Sequence, residues 1–339
     1  MAANVTIKDI AKEAGVHFST VSLALRNDPR LSPATKERIQ VIADKLGYVP
    51  NASLKALCAY REANRPHPIR SGLAYLSDKP LGDAFGGMVF KHAHDQAAKL
   101  GYNLQFYNLN EKGITLNRLR SIWWNCGLKG VLIGSFGKAG SELDDDWKQW
   151  ICVAFGYSVQ SPNFNRAVQD HFTNMTRHLQ ILRQRGYRRI GLHLPSSLSQ
   201  RTHGLLHGAY LYDQVSNKSP RIPILSKHIT KPAELLEWIR KHKLDLVMAE
   251  ADTYQLLRKT KLKMPQDIGF SLLSWKSYAK DNPKHCAGFD MKAETLAENS
   301  ISFLVSQIHE NNYGLSETPK CLMVTGQFQD GETIRATQN

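Results

Sequence analysis

The chain has 339 residues, too many for one ordinary domain and suited to two or three units of about 100–200 residues each. With 42% hydrophobic and 22% charged residues it has the balance of a folded globular protein, which excludes a disordered or fibrous chain. Its 44 Lys and Arg against 30 Asp and Glu give a net charge of +14, which favours a polyanionic partner without choosing between nucleic acid and an acidic membrane surface.

From the amino end, Ile7, Ile10, Ala11 and Ala14 fall at helical spacing, with Thr6 before them as a capping hydroxyl and Asp9 placed to meet the helix amino end. Gly15 and Val16 break this short helix. A second apolar set, Val21, Ala24 and Leu25, begins after Ser19, so two short helices joined by a tight turn are expected. Ser32 and Pro33 announce a third, whose face of Ile39, Ile42, Ala43 and Leu46 stops at Gly47. The second helix leaves Ser19, Thr20, Ser22, Leu23 and Arg26 off the core face. A helix that enters a major groove needs polar or small apolar groups in such places, although an ordinary solvated face fits the same pattern.

The stretch T-I-K-D-I-A-K-E-A-G-V-H-F-S-T-V-S-L-A-L-R-N-D-P-R-L-S-P-A-T-K-E-R-I, continuing to G-Y-V-P-N at Gly47 to Asn51, resembles the head of the lactose-repressor/galactose-repressor (LacI/GalR) family without a gap. The resemblance implies that His17, Phe18, Ser19 and Leu23 occupy base-reading positions. It puts Thr6, Thr20, Ser22, Ser32, Thr35, Tyr48 and Asn51 at positions that grip phosphates and fix register. One departure matters. The last base-reading position often carries Arg, which takes guanine O6 and N7 in a fork, and Leu23 there can only press on a thymine methyl or exclude a base.

Beyond Asn51, helical spacing runs to Ala59 and then meets Pro66 and Pro68, which cannot continue a helix. By the same resemblance this is a hinge that folds on DNA, with Leu57 from each subunit of a homodimer wedged into the minor groove. Leu54 stands where the family usually has a small residue, and packing of Leu54 and Leu57 on the core or on each other is the alternative.

From residue 71 onward short apolar runs alternate with longer amphipathic ones. Strands are expected at Gly72 to Leu76, Leu104 to Tyr107, Val131 to Ile133 and Cys152 to Phe155, with helices from Phe85 to Leu100 and Leu116 to Asn125. A second set follows, with strands at Arg189 to Leu194, Ile222 to Leu225 and Leu244 to Met248 and helices near Phe172 to Arg185 and His203 to Val215. This order predicts mainly parallel sheets. R-G-Y-R-R-I-G-L at Arg185 to Leu192 and M-P-Q-D-I at Met264 to Ile268 are similar to landmarks of the LacI/GalR core.

The fold class implied is an all-α helix-turn-helix head on an α/β two-lobed core like that of periplasmic binding proteins, with an effector in the cleft. The expected boundaries are a head at 1–50, a hinge at 51–70, a first lobe at 71–160 plus about 290–318, and a second at 161–289 plus about 320–339, with crossings near Ser161, Phe289 and Pro319. Ligands of such sheets sit beyond the carboxyl ends of strands, which nominates Ser77, Asp78, Phe85, Ser135, Phe136, Asp252, Ser274 and Trp275, with Arg201 and His203 beside them. The family's usual sugar-gripping Arg and Asp fall on Leu205 and Ser274, so a typical sugar loses two contacts.

Five cysteines, Cys58, Cys126, Cys152, Cys286 and Cys321, form no C-x-x-C pair and are expected to be reduced and mostly buried. Met1 to Asp9 has no apolar signal core and no later run reaches the ~18 apolar residues of a membrane span, so a cytoplasmic protein without a membrane partner is expected. No G-x-S-x-G, phosphate-cradling G-x-x-x-x-G-K or H-E-x-x-H motif points to an enzyme, and no cofactor or metal is expected; the run Asp144, Asp145, Asp146 fits solvated loop surface. The expected function is a transcription regulator, a repressor by the resemblance, that binds a near-palindromic double-stranded operator as a homodimer and answers to a small molecule of the sugar class. A weakly specific basic DNA binder with a degenerate effector site and a free solute-binding protein are the rivals. No heptad run at Gln329 to Asn339 suggests a tetramer-forming helix.

Overall fold

The computed structural model describes residues 5–48, 71–276, 283 and 285–336. The head is three helices, α1 (Ile7–Ala14), α2 (Phe18–Leu25) and α3 (Pro33–Leu46). Its core is small: Ile10, Val21 and Ile39 are fully buried, with Ala11, Ala24 and Ala43 beside them. Each helix end has a chemical cause. The Asp9 carboxylate accepts from Thr6 N at 2.8 Å and from the Thr6 hydroxyl at 2.6 Å, and these bonds hold its pKa below the ordinary value. Gly15 closes α1 at φ +64°, a left-handed conformation that L side chains rarely adopt. Ser32 caps α3 at Thr35 N, with Pro33 in the first turn. Between α2 and α3 the Arg30 guanidinium takes both oxygens of the mostly buried Asp28 at 2.9 Å and holds that carboxyl at about 2.

Two α/β units follow. In chain order the elements are β1 (Ser71–Ser77), α4 (Ala84–Lys99), β2 (Tyr102–Asn108), α5 (Leu116–Asn125), β3 (Gly130–Ile133), β4 (Ser141–Glu142), β5 (Ile151–Phe155), β6 (Val159–Ser161), β7 (Asn165–Gln169), α6 (His171–Gln184) and β8 (Ile190–Leu192). Then come α7 (Ser196–Arg201), α8 (Leu205–Ser216), α9 (Pro232–His242), β9 (Leu246–Ala249), α10 (Ala251–Arg258), β10 (Gly269–Trp275), β11 (Ala287–Asp290), α11 (Ala293–Glu310), β12 (Cys321–Val324) and β13 (Gln327–Gln329).

The first sheet has six strands in the order β12-β7-β5-β3-β1-β2, all parallel. One face is covered by α4 and α11 through Val89, Ala93, Leu296 and Leu304, the other by α5 and a cluster of Trp123, Trp147 and Trp150. The second sheet runs β13-β11-β10-β9-β8, parallel except for the antiparallel β11–β13 edge. Both faces of each sheet are covered, which is why the strands are continuous apolar runs and not alternating ones.

The expected alternation of elements stands, with three corrections. First, β7 and β12 pair with each other inside the first sheet, so the strands place the crossings just after Gln169, Asp290 and Val324, not near Ser161 and Pro319. Second, Ile222 to Leu225 is not a strand; Leu225 makes one bridge to His193, and Pro220 and Pro223 bring no N–H to a ladder. Third, Asp144 is more than loop surface, because it takes the Arg120 guanidinium, whose side chain is buried over the Trp147 ring. Among the described cysteines, Cys152 and Cys286 are buried while Cys126 and Cys321 are exposed, so burial holds for only half of those four.

Candidate nucleic-acid interface and interlobe cleft

The outer face of α2 is built from its first residue outward. His17 is the N-cap, and its Nδ1 accepts from Ser19 N at 3.4 Å and lies 2.8 Å from the Ser19 hydroxyl. The Phe18 ring packs on the His17 ring at 4.2 Å between centroids and is 51% exposed. Ser19 and Arg26 are exposed, and Thr20, Ser22 and Leu23 are half-buried on the flank of the helix. Thr6, Ser32 and Thr35 stand at or beside the amino ends of α1 and α3, where their hydroxyls are already engaged: Thr6 donates to Asp9, and Ser32 and Thr35 share a bond of 2.8 Å. Tyr48 packs against the head core just past α3. Asn51, Leu54 and Leu57, and with them the hinge, lie outside the described residues.

The second candidate site lies where the strand ends of the two sheets face each other. At the end of β1, Ser77 is buried and accepts from Lys79 N at 3.1 Å. Asp78 accepts from Gly137 N at 2.8 Å, tying the loop after β1 to the loop after β3. The Phe136 N–H is fixed by the Ser158 hydroxyl at 2.9 Å. These bonds turn carbonyls of the 135–137 loop toward the second lobe, where Arg201, at the end of α7, meets them. Its guanidinium donates to Phe136 O at 2.9 Å, to Ser135 Oγ at 3.3 Å and to Gly137 O. Two residues on, His203 stacks against Tyr157 of the first lobe at 5.2 Å and 20°. Arg201 and His203 therefore join the lobes directly.

Phe85, Ser274 and Trp275 form a separate group around a cavity of about 20 Å³ with Gln169, Asp290 and Met291. That is room for roughly one water, far below the ~300 Å³ of a small-molecule pocket. Trp275 Nε1 is buried there without a hydrogen-bond partner, as is His171 Nδ1 near the Tyr157 ring. Burial pushes His171 down to about 4, so its ring is neutral. Asp252 is exposed and accepts from Thr253 N at 2.7 Å, and Thr253 in turn holds His193 at 2.7 Å; among the described residues no hydrogen bond or ion pair joins Asp252 to the Arg201 or Trp275 groups. Leu205 opens α8 half-buried, leaving Arg201, one turn earlier, as the guanidinium of this region that reaches across. Sequence reasoning missed Gln169, Asp290, Tyr157 and His171. The rule of strand ends finds the first two once β7 and β11 are placed, and it also covers Tyr157, two residues past the end of β5.

Residues 6–51 match the model of the family described as bacterial regulatory proteins, lacI family. The head, residues 6–51, is thus of the lacI type. Similarity reaches beyond the length of the head: catabolite control protein A of Priestia megaterium is 39% identical over 160 residues, 47% of this chain and 46% of the relative. The alignments reach 16%, 39% and 46% of the lengths of the first three curated relatives, so the chain spans less than half of each. Two solved structures share the LacI fold over nearly the whole chain. A transcriptional regulator CelR–cellobiose complex has TM-score 0.59 and 18% identity, covering 97% of this chain and 100% of that one. A lac repressor dimer bound to operator and the anti-inducer ONPF has TM-score 0.58 and 16% identity, covering 98% and 100%. No helix among the described residues is long and apolar enough to cross a membrane.

Proposed function

We propose that this chain is a transcription regulator of the LacI type, a repressor, that reads a near-palindromic operator as a homodimer and is modulated by a small molecule held between its lobes. The observation that carries the DNA-binding half is the capped, three-helix head matching the lacI model, with Phe18 and Ser19 exposed at the start of α2. Two such helices in successive major grooves, and a Leu57 pair bending the centre, give the binding mode. The lac repressor dimer on operator and the cellobiose-bound regulator support the dimer and the sugar class of effector. The chain acts by binding in the cytoplasm and catalyses no reaction. Its units in this reading are the head, the hinge at 51–70, and two lobes divided near Gln169, Asp290 and Val324, a division that the membership of β7 and β12 in the first sheet supports.

The cleft adds a condition. Arg201 spans the lobes through the carbonyls of Phe136 and Gly137, and the cavity beside Trp275 is only about 20 Å³, so in this reading an effector of sugar size enters when Arg201 leaves those carbonyls. Effector control is then a shift between a self-closed and an open arrangement, driven by the difference in ligand affinity for the two. Selection of bound sequences from a random duplex pool at about 150 mM salt tests the proposal, since non-specific attraction is weakened there. A recovered palindrome with a readable centre is the expected result. Recovery of no motif, with binding that collapses as salt rises, moves the chain to weakly specific DNA binding.

A further inference from the structure

We infer that His17 sets the hydrogen-bond polarity of Ser19, making that hydroxyl an acceptor-only reader of exposed amino groups, adenine N6 or cytosine N4, in the major groove. The inference rests on the DNA-binding proposal above and names which base edges one side chain of α2 selects.

A serine hydroxyl has one hydrogen and two lone pairs, so on an unconstrained helix it reads any base, donating to guanine or thymine and accepting from adenine or cytosine. Here its freedom is removed. The backbone N–H of Ser19 can only donate, and it donates to His17 Nδ1 at 3.4 Å, which requires a lone pair on Nδ1. With Nδ1 unprotonated, the 2.8 Å contact between Nδ1 and Ser19 Oγ has one polarity: the hydroxyl gives its hydrogen to the imidazole. What Ser19 presents to solvent is lone pairs alone. The ring is held for this by Phe18, whose own ring packs against it at 4.2 Å between centroids with a tilt of 43°. The same tautomer leaves the His17 hydrogen on Nε2, at the exposed amino end of α2, where a phosphate oxygen can take it.

The neighbours sharpen the consequence. Phe18 and Leu23 have no hydrogen-bonding atoms in their side chains, so among the base-reading positions within α2 itself the Ser19 hydroxyl is the side-chain group able to tell amino from keto bases. Glycine is tolerated as an N-cap at a cost of a few tenths of a kcal/mol, which makes the device separable from folding.

The test measures full-length protein on the selected operator and on duplexes with each base pair of the half-site replaced, by fluorescence anisotropy, for wild type, His17→Gly, His17→Asn and Ser19→Ala. One net hydrogen bond is worth about 0.5–1.5 kcal/mol, so wild type should favour A or C over G or T at one half-site position by roughly 2- to 12-fold. His17→Asn, whose side-chain oxygen accepts the same two hydrogens, should keep that preference. His17→Gly and Ser19→Ala should both reduce it to near unity while preferences at other positions persist and the thermal unfolding of the head changes little. Undiminished preference in His17→Gly, or in Ser19→Ala, overturns the inference with the DNA-binding proposal intact. Absence of preference at every position in wild type overturns both.

Discussion

Replacing Arg201 by Ala should open the core. In the structure this side chain makes two good hydrogen bonds to backbone carbonyls of the opposite lobe and a longer one to Ser135 Oγ at 3.3 Å. A bond involving a charged group is worth about 1.5–3 kcal/mol when shielded, and Arg201 is half-exposed, so a discounted total of about 2–4 kcal/mol is reasonable. At ~1.4 kcal/mol per decade this is a shift of roughly 30- to 700-fold toward the open arrangement. The stack of His203 on Tyr157 remains in the variant, which sets a floor on the closed population. Small-angle scattering should show a larger radius of gyration for Arg201→Ala than for wild type, with Arg201→Lys between them because an ammonium lacks the fork that spans two carbonyls. Identical scattering for wild type and Arg201→Ala would refute the claim that this arginine holds the lobes together.

Further outcomes follow from other parts of the molecule. Leu23→Arg should change preference at one base pair per half-site by about 1–3 kcal/mol, read by competition on substituted duplexes. Leu57→Ala, in the segment outside the described residues, should weaken operator binding and reduce bending in a gel-shift assay. Ile39→Ala removes a fully buried side chain from a head with a very small core, at about 2–5 kcal/mol; DNA binding should fall sharply while core unfolding, followed by calorimetry, stays in place. Burial lowers His178 to about 3 and His171 to about 4, so both rings are neutral in the folded core. Their contribution to stability is complete above the unfolded value near 6.5 and is lost as pH falls through that value toward 4 and then 3, at about 1.4 kcal/mol per pH unit per ring. Urea unfolding of the core should therefore weaken from pH 7 to pH 4, and less steeply in His178→Gln.

The head was legible in the sequence because its signals are local. Thr6 with Asp9, Gly15 after Ala14, and Ser32 before Pro33 each specify a helix end through one or two neighbouring residues, and the helices begin and end where those caps put them. The core was legible as alternation of elements but not in its crossings. β7 is N-R-A-V-Q, whose Asn165 and Arg166 read as loop, yet both are buried against α11 or Tyr157. β12 finds its partner more than 150 residues away in the chain, a pairing no local pattern encodes. The cleft was half legible: Arg201 and His203 were named, but the partners of Arg201 are mainly backbone carbonyls, which carry no residue identity. Asp252 satisfied the same strand-end rule and sits apart from both groups.

The most direct test of the central claim is the ratio of affinities of the full-length protein for its selected operator and for a scrambled duplex of equal length, both at about 150 mM salt. Sequence-specific regulation predicts a ratio of at least ~10³, kept as salt rises because both affinities fall together. A ratio near one would contradict it, leaving the fold in place and a chain whose +14 charge, and not its recognition helix, brings it to DNA.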